Sequence, residues 1–200
     1  MKGGGIVEYW ARFVWSEEGL WPGPVEFHDQ RLSNHPIHIE FRGNIRKNMP
    51  LNFLRQFIDE FRQIQVDSSA TSHKEVMDLL MVGCERAAID LFSPDKEISL
   101  GHAVSEQIMI SIIIPSNSSL TYITDVLLPR LNEVEKIGPK SVLLISKTRG
   151  DLGFVFDRLP KYIRNSFDWW LAPDEGEVIP LRWTGQIAGW ILDGSRILGD

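Results

Sequence analysis

The residues most able to do chemistry lie together early in the chain, in Phe27-His28-Asp29 and His35-Pro36-Ile37-His38-Ile39-Glu40. Three of the five histidines fall within eleven positions. His38 and Glu40 are two apart in a run that alternates apolar and polar residues, so on a strand they project to the same face. An imidazole and a carboxylate side by side suit a divalent metal, or a general base with its orienting partner. His28, His38 and Glu40 are therefore the candidate catalytic set of a small-molecule or metal-dependent hydrolytic enzyme. The spacing of His35 and His38 is not the helical i, i+4 pattern of known zinc motifs, so no metal or cofactor is specified. The competing account is an exposed polar sheet face on which Glu40 pairs with Arg12 or Arg42.

A second candidate follows from strand ends, beyond which parallel sheets often hold ligands. Ser118 and Ser119 follow one apolar strand, and Lys147 and Arg149 follow another, a weak anion-binding set of amides and cations. Neither segment is a Walker loop or a GxGxxG turn, and the plain alternative is that the serines cap a helix. The chain has no GxSxG elbow. Its single cysteine, Cys84, cannot form an internal disulfide and reads as a buried helix residue.

The elements that must position these groups emerge from periodicity. Ile6 to Trp15 alternates, with Val7, Tyr9, Ala11, Phe13 and Trp15 opposite Glu8 and Arg12, and Ile37, Ile39 and Phe41 alternate with His38, Glu40 and Arg42. Both read as strands of a sheet with one wet face, joined by a long loop over 17–36. Pro50 opens a helix carrying Leu51, Leu54, Phe57, Ile58, Phe61 and Ile64. Ser72 and Glu75 form a capping box for a second helix, whose stripe runs from Val76 through Ala87 to Leu91. Residues 107–147 spell strand, helix, strand, a parallel right-handed crossover, with Pro129 kinking the helix. A broken helix over 154–165 precedes Trp169-Trp170, and two short strands are expected around Gly185-Gln186. The fold class predicted is α/β with a mixed sheet, α+β being the close alternative. One globular domain, 1–200, is expected, with Val7, Phe13, Ile39, Phe57, Leu80, Ile112, Leu127 and Leu144 in one contiguous core.

Composition limits the function classes. With 43% hydrophobic and 24% charged residues the chain is of globular type, and no apolar run reaches the ~18 residues of a membrane span. No secretory signal is evident, so a cytoplasmic location is the default. The net charge of −6 argues against non-specific nucleic-acid binding. Basic residues gather at Arg42, Arg46, Lys47, Arg55 and Arg62, and acidic ones at Asp168, Asp174, Glu175 and Glu177. The seven tryptophans lie toward the two ends of the chain. By elimination, the expectation is an acidic protein-binding module: an immunity- or antitoxin-type inhibitor of a basic, nuclease-like partner, or a secretion-type chaperone. Trp21, Asp168, Trp169, Trp170, Asp174, Glu175 and Glu177 would form its contact surface.

Overall fold

A computed structural model describes residues 7–43, 51, 54, 55 and 58–199. Nine strands occur among them. They are β1 (Glu8–Ser16), β2 (Gly19–Trp21), β3 (Pro36–Phe41), β4 (Gln63–Ala70), β5 (Arg86–Asp90), β6 (Ile108–Ile113), β7 (Ser141–Ile145), β8 (Asp168–Ala172) and β9 (Gly189–Asp193). β2 folds back antiparallel on the end of β1 as a hairpin. The other eight are all parallel, in the order β1-β3-β4-β5-β6-β7-β8-β9, and β9 pairs with β1, so the sheet closes on itself. The described helices are α1 (Pro24–Phe27), α2 (His73–Val82), α3 (Asp95–Val104), α4 (Leu128–Ile137), α5 (Asp151–Arg158), α6 (Lys161–Ser166) and α7 (Gly194–Leu198).

The register fixes the barrel type. Paired residues lead from Phe13 through Ile39, Val66 and Ala87 to Ile108. One step forward, Met109 leads through Ser141 to Asp168, and two further steps, to Trp170, lead through Gly189 to Glu8. The path returns five residues behind its start after three forward steps, a stagger of eight. Eight parallel strands with a shear of eight make a β/α barrel. The mixed-sheet expectation is thereby corrected. The crossover over 107–147 is one of the repeated steps around a closed barrel, with β6 and β7 paired from Met109–Ser141 to Ile113–Ile145.

Alternation along each strand sends one face to the helices and the other to the barrel axis. Ala11, Phe13, Ile37, Ile39 and Phe41 face outward into a large apolar cluster shared with Val76, Leu131, Val134, Val155 and Phe156. The inward side chains stack in layers of four from alternate strands. From the N-terminal end, the stagger places Trp10, Gln65, Met109 and Trp170 in one layer and His38, Ala88, Leu143 and Ile191 in the next. Arg12, Asp67, Ser111 and Ala172 follow, and Glu40, Asp90, Ile145 and Asp193 lie at the top. The apolar members of these layers form a second core, separate from the first. One contiguous core was the wrong criterion: a closed barrel has an inner and an outer core by construction. Phe13, Ile39, Ile112, Leu127 and Leu144 are buried in the outer one, Val7 and Leu80 pack against it, and Phe57 lies outside the described residues.

Aromatic rings seal the floor. Trp10 and Trp170 meet edge to face with centroids 5.5 Å apart, and the Arg86 guanidinium lies 4.7 Å from the Trp170 ring centre and 5.6 Å from that of Trp10. Gly189 makes room for them, since a Cβ there would stand 2.4 Å from Trp170 Cζ3.

Several local readings change. The polar faces of β1 and β3 are not wet: Arg12 is 7% exposed, and His38 and Glu40 are fully buried. The apolar stripe of the second helix does not run on to Leu91. α2 starts at the Ser72–Glu75 capping box and ends at Val82, where Gly83 takes a left-handed φ of 112°. Ala87 and Ile89 belong to β5, and Ile64 to β4 rather than to a helix. The opening of that first helix, with Arg46 and Lys47 of the basic stretch, lies outside the described residues. α3 was not anticipated. Pro129 lies inside one unbroken helical run over 120–137, two residues past its π-helical segment Tyr122–Leu127, where the bonding register changes around the missing N–H. The pair Trp169-Trp170 is part of β8. Between Val178 and Leu192 only β9 is a strand, preceded by a 3-10 turn at Leu181–Trp183.

Candidate active site at the C-terminal mouth

The two upper layers put charge where the lower ones put apolar side chains, and a cavity of about 370 Å³ opens above them. Its walls include Arg12, Glu40, Arg42, Lys147, Asp174, Asp193 and, from the β2 hairpin, Trp21. Glu40, Arg42, Lys147, Asp174 and Asp193 sit on inward positions at or just past the ends of their strands, and Arg12 faces inward from the middle of β1, paired in register with Asp193.

Glu40 is the hub. Arg12 Nε donates to Glu40 Oε1 at 2.8 Å and Nη2 to Oε2 at 3.2 Å, while Nη1 donates to the Pro173 carbonyl at 3.3 Å. Arg42 Nη2 donates to Glu40 Oε2 from the other side. Burial alone would raise the Glu40 pKa, but the two guanidiniums, with His38 helping, hold it well below the usual carboxylate range. His38 stands beneath this pair. The Gln65 amide nitrogen lies 3.1 Å from His38 Nδ1, so with the amide donating, the ring proton is assigned to Nε2, 3.6 Å from Glu40 Oε1.

Arg42 also approaches Asp67, 3.6 Å away. Asp67 accepts from Ser111 Oγ at 2.7 Å and from the Ser69 backbone N–H at 2.7 Å. The latter bond exists because β4 bulges. Its pairing with β5 slips between Val66 and Ala70, and Ser69 takes a φ of 50°, turning its N–H away from the ladder onto Asp67. The Arg12–Glu40–Arg42–Asp67 network is thus matched in charge and rigidly hydrogen-bonded.

Two groups at the mouth stand apart from it. Asp193 closes β9 and is 5% exposed, and its Oδ1 has no hydrogen-bond partner among the described residues. Burial pushes its pKa up to about 6; Arg12 opposes the shift and Glu175 adds to it. Lys147 continues the inward row of β7 beyond Ile145. Lys147 is exposed at the rim of the cavity; its pKa is lowered, first by partial desolvation and then by Arg42, with Glu40 pulling the other way and Arg12 adding to the fall. A carboxylic acid that keeps its proton up to about pH 6 can exchange it with a substrate near physiological pH, and Lys147 beside it holds its own proton less tightly than a free lysine does.

The sequence-derived candidates are divided by the fold. His38 and Glu40 meet inside the barrel. His28 is exposed beside a different cavity, with Phe27, Asp29 and Glu60, and His35 is exposed just ahead of β3. Among the described residues no group of three His, Cys, Asp or Glu side chains is placed to hold a metal ion. Of the anion-binding set, Lys147 reaches the cavity. Ser118 Oγ instead donates to the Pro115 carbonyl, Ser119 Oγ accepts from the Tyr122 N–H, and Arg149 is exposed. Asp193 was missed, although an aspartate ending the apolar run Trp190-Ile191-Leu192 is the same strand-end signal that pointed to Lys147. Cys84 is buried just past α2, and burial pushes its thiol up to about 12.

The contact surface expected of a binding module does not form. Trp169 and Trp170 are 0% and 3% exposed, one in the outer core and one in the floor. Asp168 begins β8 and Asp174 follows its end, so the acidic stretch is split between opposite faces of the barrel. Glu177 is largely buried, and Trp21, Asp174 and Glu175 line the cavity.

No protein-family model matches the sequence, and no curated protein matches it. Among solved structures the fold is similar to that of 3-hexulose-6-phosphate synthase from Salmonella typhimurium. That match has a TM-score of 0.58 and 13% identity over 82% of this chain and 79% of that one. The similarity is one of fold. A closed β/α barrel like that enzyme's, together with the buried tryptophan pair, overturns the reading as an immunity, antitoxin or chaperone-type inhibitor. Among the described residues no helix is long and apolar enough to cross a membrane.

Proposed function

We propose that the chain is an enzyme that moves protons on a small polar carbonyl compound held in the mouth of the barrel, with Asp193 as the acid–base group. The observation that carries this reading is Asp193 itself: a buried carboxyl with an unpartnered oxygen, on the wall of a cavity it shares with Lys147. Burying a carboxyl without a partner costs stability and is retained where chemistry needs it. Barrels of this kind carry their catalytic groups at the C-terminal ends of the strands, where Glu40, Lys147 and Asp193 lie. The cavity volume suits a metabolite-sized ligand. The similar solved enzyme is named for a phosphorylated ketose, which supports a carbonyl substrate of that general class.

The test is exchange of α-hydrogens for deuterium, followed by proton NMR, over a panel comprising glycolaldehyde, dihydroxyacetone, dihydroxyacetone phosphate, glyceraldehyde 3-phosphate and pentulose 5-phosphates. Exchange should occur with at least one compound. It should rise through pH ~6 as Asp193 ionises and fall by a factor of about 100 or more in Asp193→Asn. Exchange with none of the panel, or exchange indifferent to Asp193→Asn, would overturn the proposal.

A further inference from the structure

We propose that Lys147 is a covalent nucleophile, condensing through Nζ with the carbonyl carbon of the substrate to form an iminium ion. The inference rests on the proton-transfer reading above and gives that site its electron sink.

Three features of the mouth lead to it. Lys147 follows Ile145 on the inward row of β7, so its side chain stands over the polar layers and lines the cavity. Both neighbouring cations are already committed: Arg12 and Arg42 spend their guanidiniums on Glu40, and Arg42 also on Ser69. Lys147 makes no hydrogen bond or ion pair with a described residue. Set beside two guanidiniums and given no carboxylate of its own, the ammonium gives up its proton more readily than that of a free lysine, and the neutral amine so formed attacks carbonyls. Finally, a proton donor is at hand, because Asp193 lines the same cavity with one oxygen unpartnered.

The chemistry balances with these two groups. The Nζ lone pair forms a C–N bond as the carbonyl π pair moves to oxygen, and a proton passes from nitrogen to that oxygen, giving a carbinolamine. The protonated Asp193 carboxyl then delivers its proton to the hydroxyl as the C–O bond breaks, releasing water and leaving the iminium. Asp193, now a carboxylate, takes the α-proton, and the C–H pair flows toward the iminium nitrogen to give an enamine. The reverse steps return the amine, the carbonyl and the acid. No oxidant or further reactant is needed.

Reductive trapping tests it directly. The intact protein is incubated at neutral pH with pyruvate, glycolaldehyde or dihydroxyacetone phosphate and sodium cyanoborohydride, then digested and mapped by mass spectrometry. A single reduced adduct concentrated on the Lys147 peptide is expected with at least one probe. The seven other lysines in the chain serve as internal controls for non-specific reductive alkylation. Lys147→Arg keeps the charge and cannot form the imine, so it should lose the adduct while retaining the wild-type far-UV spectrum and melting temperature. An adduct spread over all lysines, one unchanged in Lys147→Arg, or none with any probe would overturn the proposal. α-Proton exchange that persists in Lys147→Arg would remove the iminium step alone. Asp193→Asn should lose exchange and most of the adduct together; an undiminished adduct there would overturn Asp193 as the acid of the dehydration.

Discussion

Replacing Asp193 by Asn keeps the shape of the side chain and removes its titration, which makes it a direct probe of the mouth's electrostatics. In the folded protein burial carries the Asp193 pKa from its ordinary 3.8 up to about 6. The native state therefore binds this proton more tightly than the unfolded chain does. The sign follows by linkage: the wild type is favoured while both states are protonated, loses stability as pH rises from about 4 to about 6, and stays at the lower level above that. A displacement of about two pH units at about 1.4 kcal/mol each sets the ceiling of the effect near 3 kcal/mol. The amide of the variant does not titrate and suffers no such loss. The stability of Asp193→Asn minus that of the wild type should thus grow by up to about 3 kcal/mol between pH 4 and pH 7, whatever its offset at pH 4. Other titrating groups, Glu40 and Glu177 among them, act in both proteins and cancel in the difference. Urea unfolding followed by tryptophan fluorescence at a series of pH values measures it. A difference that is flat with pH, or one that shrinks as pH rises, would refute both the raised pKa and the case for Asp193 as the acid.

Glu40→Gln should destabilise the barrel by about 3–5 kcal/mol near neutrality, because it leaves the buried Arg12 and Arg42 without their shared anion. Since the Glu40 pKa is held below its ordinary 4.5 in the fold, that penalty should shrink as pH falls below 4.5, where the unfolded wild type takes up a proton that the fold still resists, and unfolding curves at pH 7 and pH 3 would show it. Gly189→Ala puts a methyl group against the Trp170 ring and should cost about 1–3 kcal/mol, read from the urea midpoint. Ser111→Ala removes the hydroxyl that Asp67 accepts from and should cost about 1 kcal/mol by the same measurement. Cys84, with its thiol pushed up to about 12 and buried, should resist iodoacetamide at pH 8 for hours in the native state and react promptly in denaturing urea.

Elements were far more legible in the sequence than their closure. The alternation of β1 and β3, the apolar runs of β6 and β7 and the capping box of α2 are local signals, and each marks a real element. β5 was lost because Ala87 and Leu91 happen to extend the stripe of α2 at helical spacing, and a strand of five residues leaves too little pattern to contest it. The larger error came from the meaning of a polar face. A strand reading apolar-polar-apolar fits a sheet with one side in water. It fits equally a barrel whose axis is lined by Arg12, His38, Glu40 and Asp67. What distinguishes them is the pairing of β1 with β9 across some 180 residues, and no local window contains it. The same ambiguity hid the site. His38 and Glu40 stood out by their proximity in sequence, and Lys147 by its place after a strand. Asp193 and Arg12 gain their roles only from the partners that closure supplies.

That closure also sets the order in which the protein can come to life on the ribosome. Arg12 and Asp193 occupy facing positions on the first and last strands of the barrel, directly across the seam. Seven of the eight barrel strands can emerge and pair before Asp193 does, so on the proposed chemistry a chain stalled before residue 193 would carry Lys147 without its acid. Catalytic competence would then report that synthesis has run past the final strand. Cutting the chain within β9 should abolish activity outright, while cuts in peripheral loops that spare the seam should not.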